Sequence, residues 1–174
     1  MKALRMLLSG TDRAEKDAAI RERLLSAAEF AAAGSVFLFY GSNGEPDTTE
    51  IMQKALDMGK KVALPVVINR TEIIFREIID TKDSHINRYG IREPRDGHEV
   101  QPDMDTLIVA PGFAFGENMV RIGYGRGYYD RYLYGKKFMA VMGIAYDFQV
   151  VPFIEPDEWD GRLDAVVTDV KVYR

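Results

Sequence analysis

Three glycines, two arginines and one carboxylate crowd into Arg121 to Asp130, which reads RIGYGRGYYD. Gly123, Gly125 and Gly127 alternate just before a stretch of helical pattern that begins near Tyr128. Glycines at that spacing let the backbone approach a ligand closely and aim free N–H groups at it. Arg121 and Arg126 bracket the glycines, and a guanidinium presents a planar fork to phosphate oxygens. Between Arg121 and Lys137 five basic side chains stand against the single acid Asp130. The segment is therefore a candidate phosphate cradle, with a tight turn that merely needs small residues as the alternative. It is not a Walker loop, because no Gly-Lys-Ser/Thr follows, and its glycine spacing is not that of a dinucleotide fold. Asp130 either offsets the start of the helix or holds a magnesium ion on the phosphates.

Other chemistries find less support. The sequence has no cysteine, which removes thiol nucleophiles, thiolate metal sites and disulfides, and which suits a cytoplasmic chain. Its two histidines, His85 and His98, read as surface residues of a polar stretch. No G-x-S-x-G elbow marks a serine hydrolase. A net charge of −4, from 23 basic and 27 acidic side chains, argues against a nucleic-acid partner and against an anionic membrane surface. The opening MKALRMLLSG is too short and too interrupted by Arg5 for a signal sequence, and no window approaches a membrane span.

The elements that must position the cradle follow from periodicity. With 174 residues, 47% of them apolar, one domain over 1–174 is the expectation. Residues 11 to 33 read as one amphipathic helix, with Ile20, Leu24, Ala28 and Ala31 on a face and Gly34 at the stop. Ser35 to Tyr40 is a nearly continuous apolar run, the pattern of a strand covered on both faces. Thr48 to Met58 reads as a helix capped by Asp47 or Thr48 and stopped by Gly59. Strands are predicted at Lys61 to Val66, Thr106 to Ala110, Phe138 to Ile144 and Asp164 to Thr168. Glu72 to Ile79 is strand-like and reads as an addition at the sheet edge. Asp80 to Asp105, punctuated by Gly90, Pro94, Gly97 and Pro102, reads as a long surface loop. The plan is α/β with a mostly parallel sheet, in which ligands bind beyond the carboxyl ends of the strands. Tyr40, Ala110 and Ile144 therefore mark the loops that matter.

At this point the sequence resembles a known family. Pro111-Gly112, Phe113 to Phe115 and Arg121 to Asp130 are similar to the central motif of the 5-formyltetrahydrofolate cyclo-ligases, also called methenyltetrahydrofolate synthetases. Tyr40, Glu45, Thr49 to Ile51, Gly59 to Pro65, Glu93-Pro94 and Gln149 to Thr168 extend the likeness over nearly the whole chain. The resemblance implies a three-layer, Rossmann-like α/β sandwich of the kind shared with sugar-phosphate isomerases and CoA-transferases. It implies an ATP- and Mg2+-dependent closure of 5-formyltetrahydrofolate to 5,10-methenyltetrahydrofolate, by a monomer or weak homodimer acting on small molecules.

Carried over by position, the resemblance assigns ATP to Arg5, Arg121, Ile122, Gly123, Tyr124, Gly125, Arg126, Gly127, Tyr128 and Tyr129. It assigns the folate to Tyr40, Glu45, Tyr124, Gly125, Arg126, Gly127 and Tyr128, and the magnesium to Asp130 and Asp160. Arg121 and Arg126 are the candidate catalytic cations. Phosphoryl transfer needs charge neutralisation and positioning rather than a cysteine or histidine nucleophile, and these residues supply it. Two positions depart from the family pattern. Lys2 lies three residues before Arg5 instead of four, and Trp159 rather than histidine precedes Asp160. Two other readings compete: a folate- or nucleotide-binding module without catalysis, and an ATP-independent enzyme of the isomerase or CoA-transferase kind with Glu45 as base or nucleophile.

Overall fold

The computed structural model describes residues 1–174. In chain order the elements begin with α1 (Lys2–Leu7), α2 (Gly10–Leu25), α3 (Ala28–Ala32), β1 (Ser35–Phe37), α4 (Thr49–Asp57), β2 (Lys61–Val67) and β3 (Ile73–Ile78). Next come β4 (Ser84–Ile86), β5 (Arg92–Pro94), β6 (Glu99–Val100), β7 (Thr106–Ala110), β8 (Ala114–Gly116) and β9 (Arg121–Ile122). The chain closes with α5 (Tyr128–Leu133), β10 (Ala140–Ala145), β11 (Val150–Val151), β12 (Ala165–Thr168) and β13 (Val172–Tyr173).

The main sheet runs β13-β12-β10-β7-β1-β2-β3-β6. Its five middle strands, from β12 to β2, are parallel; β13 and β3 run antiparallel to them, and β6 pairs antiparallel with β3. The order reverses at β1, which has β2 on one side and β7 on the other, so a crevice opens between the carboxyl ends of β1 and β7. Alternate residues of these strands face opposite layers, as the pleat requires. Val36, Leu107 and Val109 join Ile20, Leu24, Phe30 and Ile51 from α2, α3 and α4 in one core. Phe37, Ile108 and Ala110 join Phe75, Phe115, Tyr129 and Tyr132 in the other. Both cores flank the same sheet, which makes a three-layer α/β sandwich.

The second core is what seats the glycine loop. Phe75 stacks on Phe37 with centroids 4.9 Å apart and meets Tyr132 at 4.8 Å and Tyr129 at 6.1 Å. These contacts bolt the short α5, which directly follows the glycines, onto the sheet. A smaller sheet, β11-β8-β9, lies on the same face and buries Phe115 completely.

Several expectations change. The helix expected over 11 to 33 is two helices, broken at Ser26 and Ala27, where Ala27 adopts an extended ψ of 140°. The break turns Phe30 and Ala33 into the core before the chain enters β1. Ahead of it Lys2–Leu7 forms a helix that the sequence reading did not include. Strand pairing in β1 stops at Phe37, and Leu38 to Tyr40 stay buried while leaving the ladder. The hydroxyl of Thr48 donates to the Phe39 carbonyl there, so the helix start holds the departing strand. The Asp47 carboxylate accepts from the Thr49 amide at 2.9 Å, just ahead of α4, whose N-cap position is Thr48. The stretch 80–105 is not a plain loop: it folds as the β4–β5 hairpin followed by β6. Buried Glu93 pins it, accepting from the Val67 amide at 3.0 Å and from Asn87 Nδ2 at 2.8 Å. Consequently β3 has β6 on its outer side and is not the edge of the sheet. No helix is long and apolar enough to cross a membrane.

Candidate active site

A cleft of about 280 Å³ opens at the reversal point of the sheet. Phe39, Tyr40, Ser42 and Glu45 enter it from the segment after β1, and Pro65 and Val67 from the end of β2. Arg121, Gly123, Tyr124, Arg126, Gly127, Tyr128, Tyr129 and Asp130 enter from the glycine loop and the start of α5. The two groups expected from the sequence, one beyond β1 and one beyond β7, thus share a single cavity.

The loop takes its shape from Gly125 and Gly127, whose φ angles are +76° and +59°. A side chain there would be strained, and at Gly127 a Cβ would also come within 2.8 Å of the Arg131 guanidinium. That guanidinium donates to the Arg126 carbonyl and, from Nε, to the Thr71 carbonyl at 2.8 Å, while the Tyr128 hydroxyl donates to the Asn69 carbonyl at 3.1 Å. The loop is therefore tied to the β2–β3 turn. Arg126 is exposed on it. Arg121 is buried, lies 5.5 Å from the Tyr129 ring centroid and donates from Nη2 to Asp130 Oδ1 at 2.7 Å. Tyr129 buries a hydroxyl that has no partner, and burial pushes its pKa far up, so it stays a phenol.

The N-terminal helix reaches the same place. Arg5, completely buried, donates from Nη1 to the Tyr124 hydroxyl at 2.9 Å, and that hydroxyl donates to Glu45 Oε1 at 2.6 Å. Glu45 Oε2 accepts from the Ser42 amide at 2.9 Å and from its hydroxyl at 3.2 Å. One relay thus joins three segments that are far apart in sequence. Burial raises the pKa of Glu45 above the usual carboxylate range, against the opposing pull of Tyr124, Ser42 and Arg5. Burial and the adjacent Glu45 charge push that of Tyr124 well up. The Nε and Nη2 atoms of Arg5 are buried without any partner. An unpartnered buried guanidinium is costly; the Phe113 and Tyr124 rings, each 5.8 Å away, offset part of that cost, and the two donors remain suited to an anion brought to them.

Arg13, which the sequence reading passed over, clamps the arrangement. It donates to the Arg5 carbonyl, to the Gly44 carbonyl at 3.1 Å and to the Tyr146 hydroxyl at 3.3 Å. Arg92 was likewise missed. It lines the cleft 4.3 Å from the Tyr40 ring centroid, and Tyr40 in turn donates to the Thr81 carbonyl at 2.9 Å. Neither carries a sequence signal: Arg13 sits within an amphipathic helix, and Arg92 in a stretch whose strands are too short to show alternation.

Four of the predicted residues lie outside the cleft lining: Arg5, which meets it through Tyr124, Gly125, which shapes the loop, and Ile122 and Asp160. Ile122 is exposed on β9, outside the cleft lining, and contributes its carbonyl to the Phe113 amide at 2.7 Å. Asp160 also lies outside that lining, and its Oδ2 accepts from the Asp157 amide at 2.8 Å. No group of three or more acidic or histidine side chains is placed to hold a metal. A magnesium ion riding on phosphates needs only one or two protein carboxylates, however, and Asp130, at the cleft with one oxygen beyond its contact to Arg121, fits that requirement.

Comparison with known proteins gives the same direction. A solved NMR structure of Aquifex aeolicus 5,10-methenyltetrahydrofolate synthetase superposes with a TM-score of 0.86 at 33% identity, over 99% of this chain and 88% of that one. A 5,10-methenyltetrahydrofolate synthetase from Mycoplasma pneumoniae matches with a TM-score of 0.76 at 25% identity, over 97% and 93% of the two chains. The Escherichia coli K12 5-formyltetrahydrofolate cyclo-ligase is 34% identical over 158 residues, covering 87% of this chain and 86% of its own length. The model of the 5-formyltetrahydrofolate cyclo-ligase family matches residues 1–169. Cleft, fold and likeness agree, and the chain belongs to the 5-formyltetrahydrofolate cyclo-ligase family, whose members are ligases.

Proposed function

We propose that this protein closes 5-formyltetrahydrofolate to 5,10-methenyltetrahydrofolate at the expense of ATP. The observation that carries the reading is the relay from buried Arg5 through Tyr124 to buried Glu45, with two guanidinium donors left over beside a glycine loop that holds Arg121 and Arg126. An acidic protein that converges three arginines on one place, one of them with unsatisfied buried donors, is suited to a polyphosphate.

In this reading Arg5, Arg121, Arg126 and the amides of Gly123 to Tyr129 hold the triphosphate, and the buried Tyr129 hydroxyl supplies one further donor. Ile122 contributes backbone only. Tyr40, Glu45, Tyr124 and Tyr128 contact the folate, with Glu45 accepting from the N–H edge of the pterin and Tyr124 keeping that carboxylate oriented. The formyl oxygen on N5 attacks the γ-phosphorus and ADP leaves. N10 then attacks the activated formyl carbon, phosphate departs with the former formyl oxygen, and the N10 proton is lost to give the methenyl bridge. Arg121 and Arg126 offset the charge that accumulates on the transferred group. Magnesium, when bound, neutralises phosphoryl oxygens and orients them. Asp130 is the carboxylate placed to hold it, and Asp160 is its second carboxylate in the family resemblance.

An ATP-independent reaction with Glu45 as base would leave Arg5, Arg121 and Arg126 without a purpose, and it would have to free Glu45 from Tyr124 and Ser42. The deciding experiment mixes the purified protein with MgATP and 5-formyltetrahydrofolate and follows the strongly absorbing methenyl product. Product that forms only with ATP supports the reading. No product, or product without ATP, refutes it.

A further inference from the structure

Arg92 has a place in the cleft that the reaction as described does not use. Three arginines line the cavity. Arg121 is paired with Asp130, and Arg126 stands on the glycine loop, so both belong to the phosphate end. Arg92 comes from a separate segment, β5, and its guanidinium carbon lies 4.3 Å from the centroid of the Tyr40 ring. Its Nε is committed to the Ser84 hydroxyl at 2.8 Å, which fixes the plane of the group. Its two Nη atoms make no hydrogen bond and no ion pair. The acid of the neighbouring turn, Asp83, is instead placed 3.6 Å from Arg95. The backbone of this segment is held by the adjacent Glu93, whose carboxylate is bonded to β2.

A guanidinium stacked on a tyrosine and anchored through Nε turns its outer edge toward whatever lies in the cleft. That edge matches a carboxylate by two parallel hydrogen bonds. Arg92 lines the cleft and is half-buried, so its free edge is open to a ligand that extends from the cleft toward solvent. The pterin has no anionic group. The anions of a folate are the carboxylates of its glutamyl tail, beyond the benzoyl ring.

We propose that Arg92 is the specificity-determining residue that reads the glutamyl carboxylate of the folate, with the Arg92–Tyr40 stack as the surface along which the benzoyl ring lies. This rests on the proposed folate reading of the same cleft. It predicts a preference of the protein for 5-formyltetrahydrofolate over 5-formyltetrahydropteroate, which lacks the glutamate, and it assigns that preference to one side chain.

The test measures dissociation constants of both compounds by calorimetry, and KM for both and for MgATP, in the wild-type chain and in Arg92→Gln and Arg92→Lys. The expected result is a folate-to-pteroate preference that falls about tenfold or more in Arg92→Gln, with a smaller fall in Arg92→Lys, which keeps charge but not the fork. A ratio is read because a general loosening of the site lowers both affinities together and leaves the ratio unchanged. An unchanged ratio, or an unchanged ratio with a raised KM for MgATP, overturns the assignment; the second result would move Arg92 to the phosphates. Wild-type protein that binds the folate without cyclising it would refute the proposed reaction while the ratio of binding constants still decides on Arg92. Wild-type protein that binds neither compound overturns both.

Discussion

Replacing Tyr124 by phenylalanine removes one oxygen atom from the relay and nothing from its shape. That oxygen accepts from Arg5 at 2.9 Å and donates to Glu45 at 2.6 Å, so two charge-assisted hydrogen bonds are lost together. Bonds to charged groups each contribute about 1.5–3 kcal/mol net. Tyr124 leaves half of its surface exposed, and water can enter the gap, so the lower part of that range applies to each. The combined loss is about 3 kcal/mol, and because the relay already stands in the free protein this sets a ceiling of roughly 150-fold on the fall in kcat/KM for the folate at 25 °C. A double-mutant cycle isolates the contact. Glu45→Gln keeps an acceptor but loses its charge, and charge assistance roughly doubles such a bond, so a coupling of about 1 kcal/mol between the two substitutions is expected. Rates of methenyl formation for the wild-type chain, both single variants and the double variant give the number. Additivity within about 0.5 kcal/mol would show that the relay is not used and would undo the reasoning that places the pterin against Glu45.

Glu45 also predicts a pH dependence of stability. Its folded pKa lies above the usual carboxylate value because of burial, so the native state holds this proton more tightly than the unfolded chain. Its contribution to stability is full at acid pH and is lost as pH rises through the raised pKa, and urea titrations should show a flatter profile in Glu45→Gln across that window. Asp130→Asn is expected to cut kcat by about 10²-fold and to raise the magnesium concentration for half-maximal rate, whereas unchanged magnesium dependence would remove Asp130 from the ion. Phe75→Ala takes the shared partner from Phe37, Tyr129 and Tyr132 and should cost about 3–5 kcal/mol in urea unfolding. A loss under 1 kcal/mol would mean that α5 is held by something else.

The parallel plan of the sheet was readable because its central strands are short, mostly apolar and bounded by turn residues: β7 is found at the predicted Thr106 to Ala110, and β2 differs by one residue. The glycine loop was readable for a related reason, since glycines and arginines alternate where no core needs them. The relay was not. Nothing in the spacing of Arg5, Glu45 and Tyr124 predicts that a phenol will bridge the other two, because the bridge depends on how α1 folds back over the sheet. The β4–β5 hairpin escaped notice because three-residue strands are too short to establish a period, and it took Arg92 with it. Ser26 and Ala27 gave no sign of a helix break, being neither glycine nor proline; the turn is forced by the need to bury Phe30.

Within α1 only Arg5 is buried, while Leu4, Met6 and Leu7 remain largely open to water. Six residues are too few to persist as an isolated helix, so this turn owes its place to the guanidinium and carbonyl of Arg5 and to Met1 and Leu8, which flank it and pack on the cores. Its amides should exchange with deuterium long before those of the sheet, and nucleotide should slow them selectively. The molecule would then carry, in its first helix, a natural reporter of phosphate occupancy that a spectrometer can follow without any attached probe.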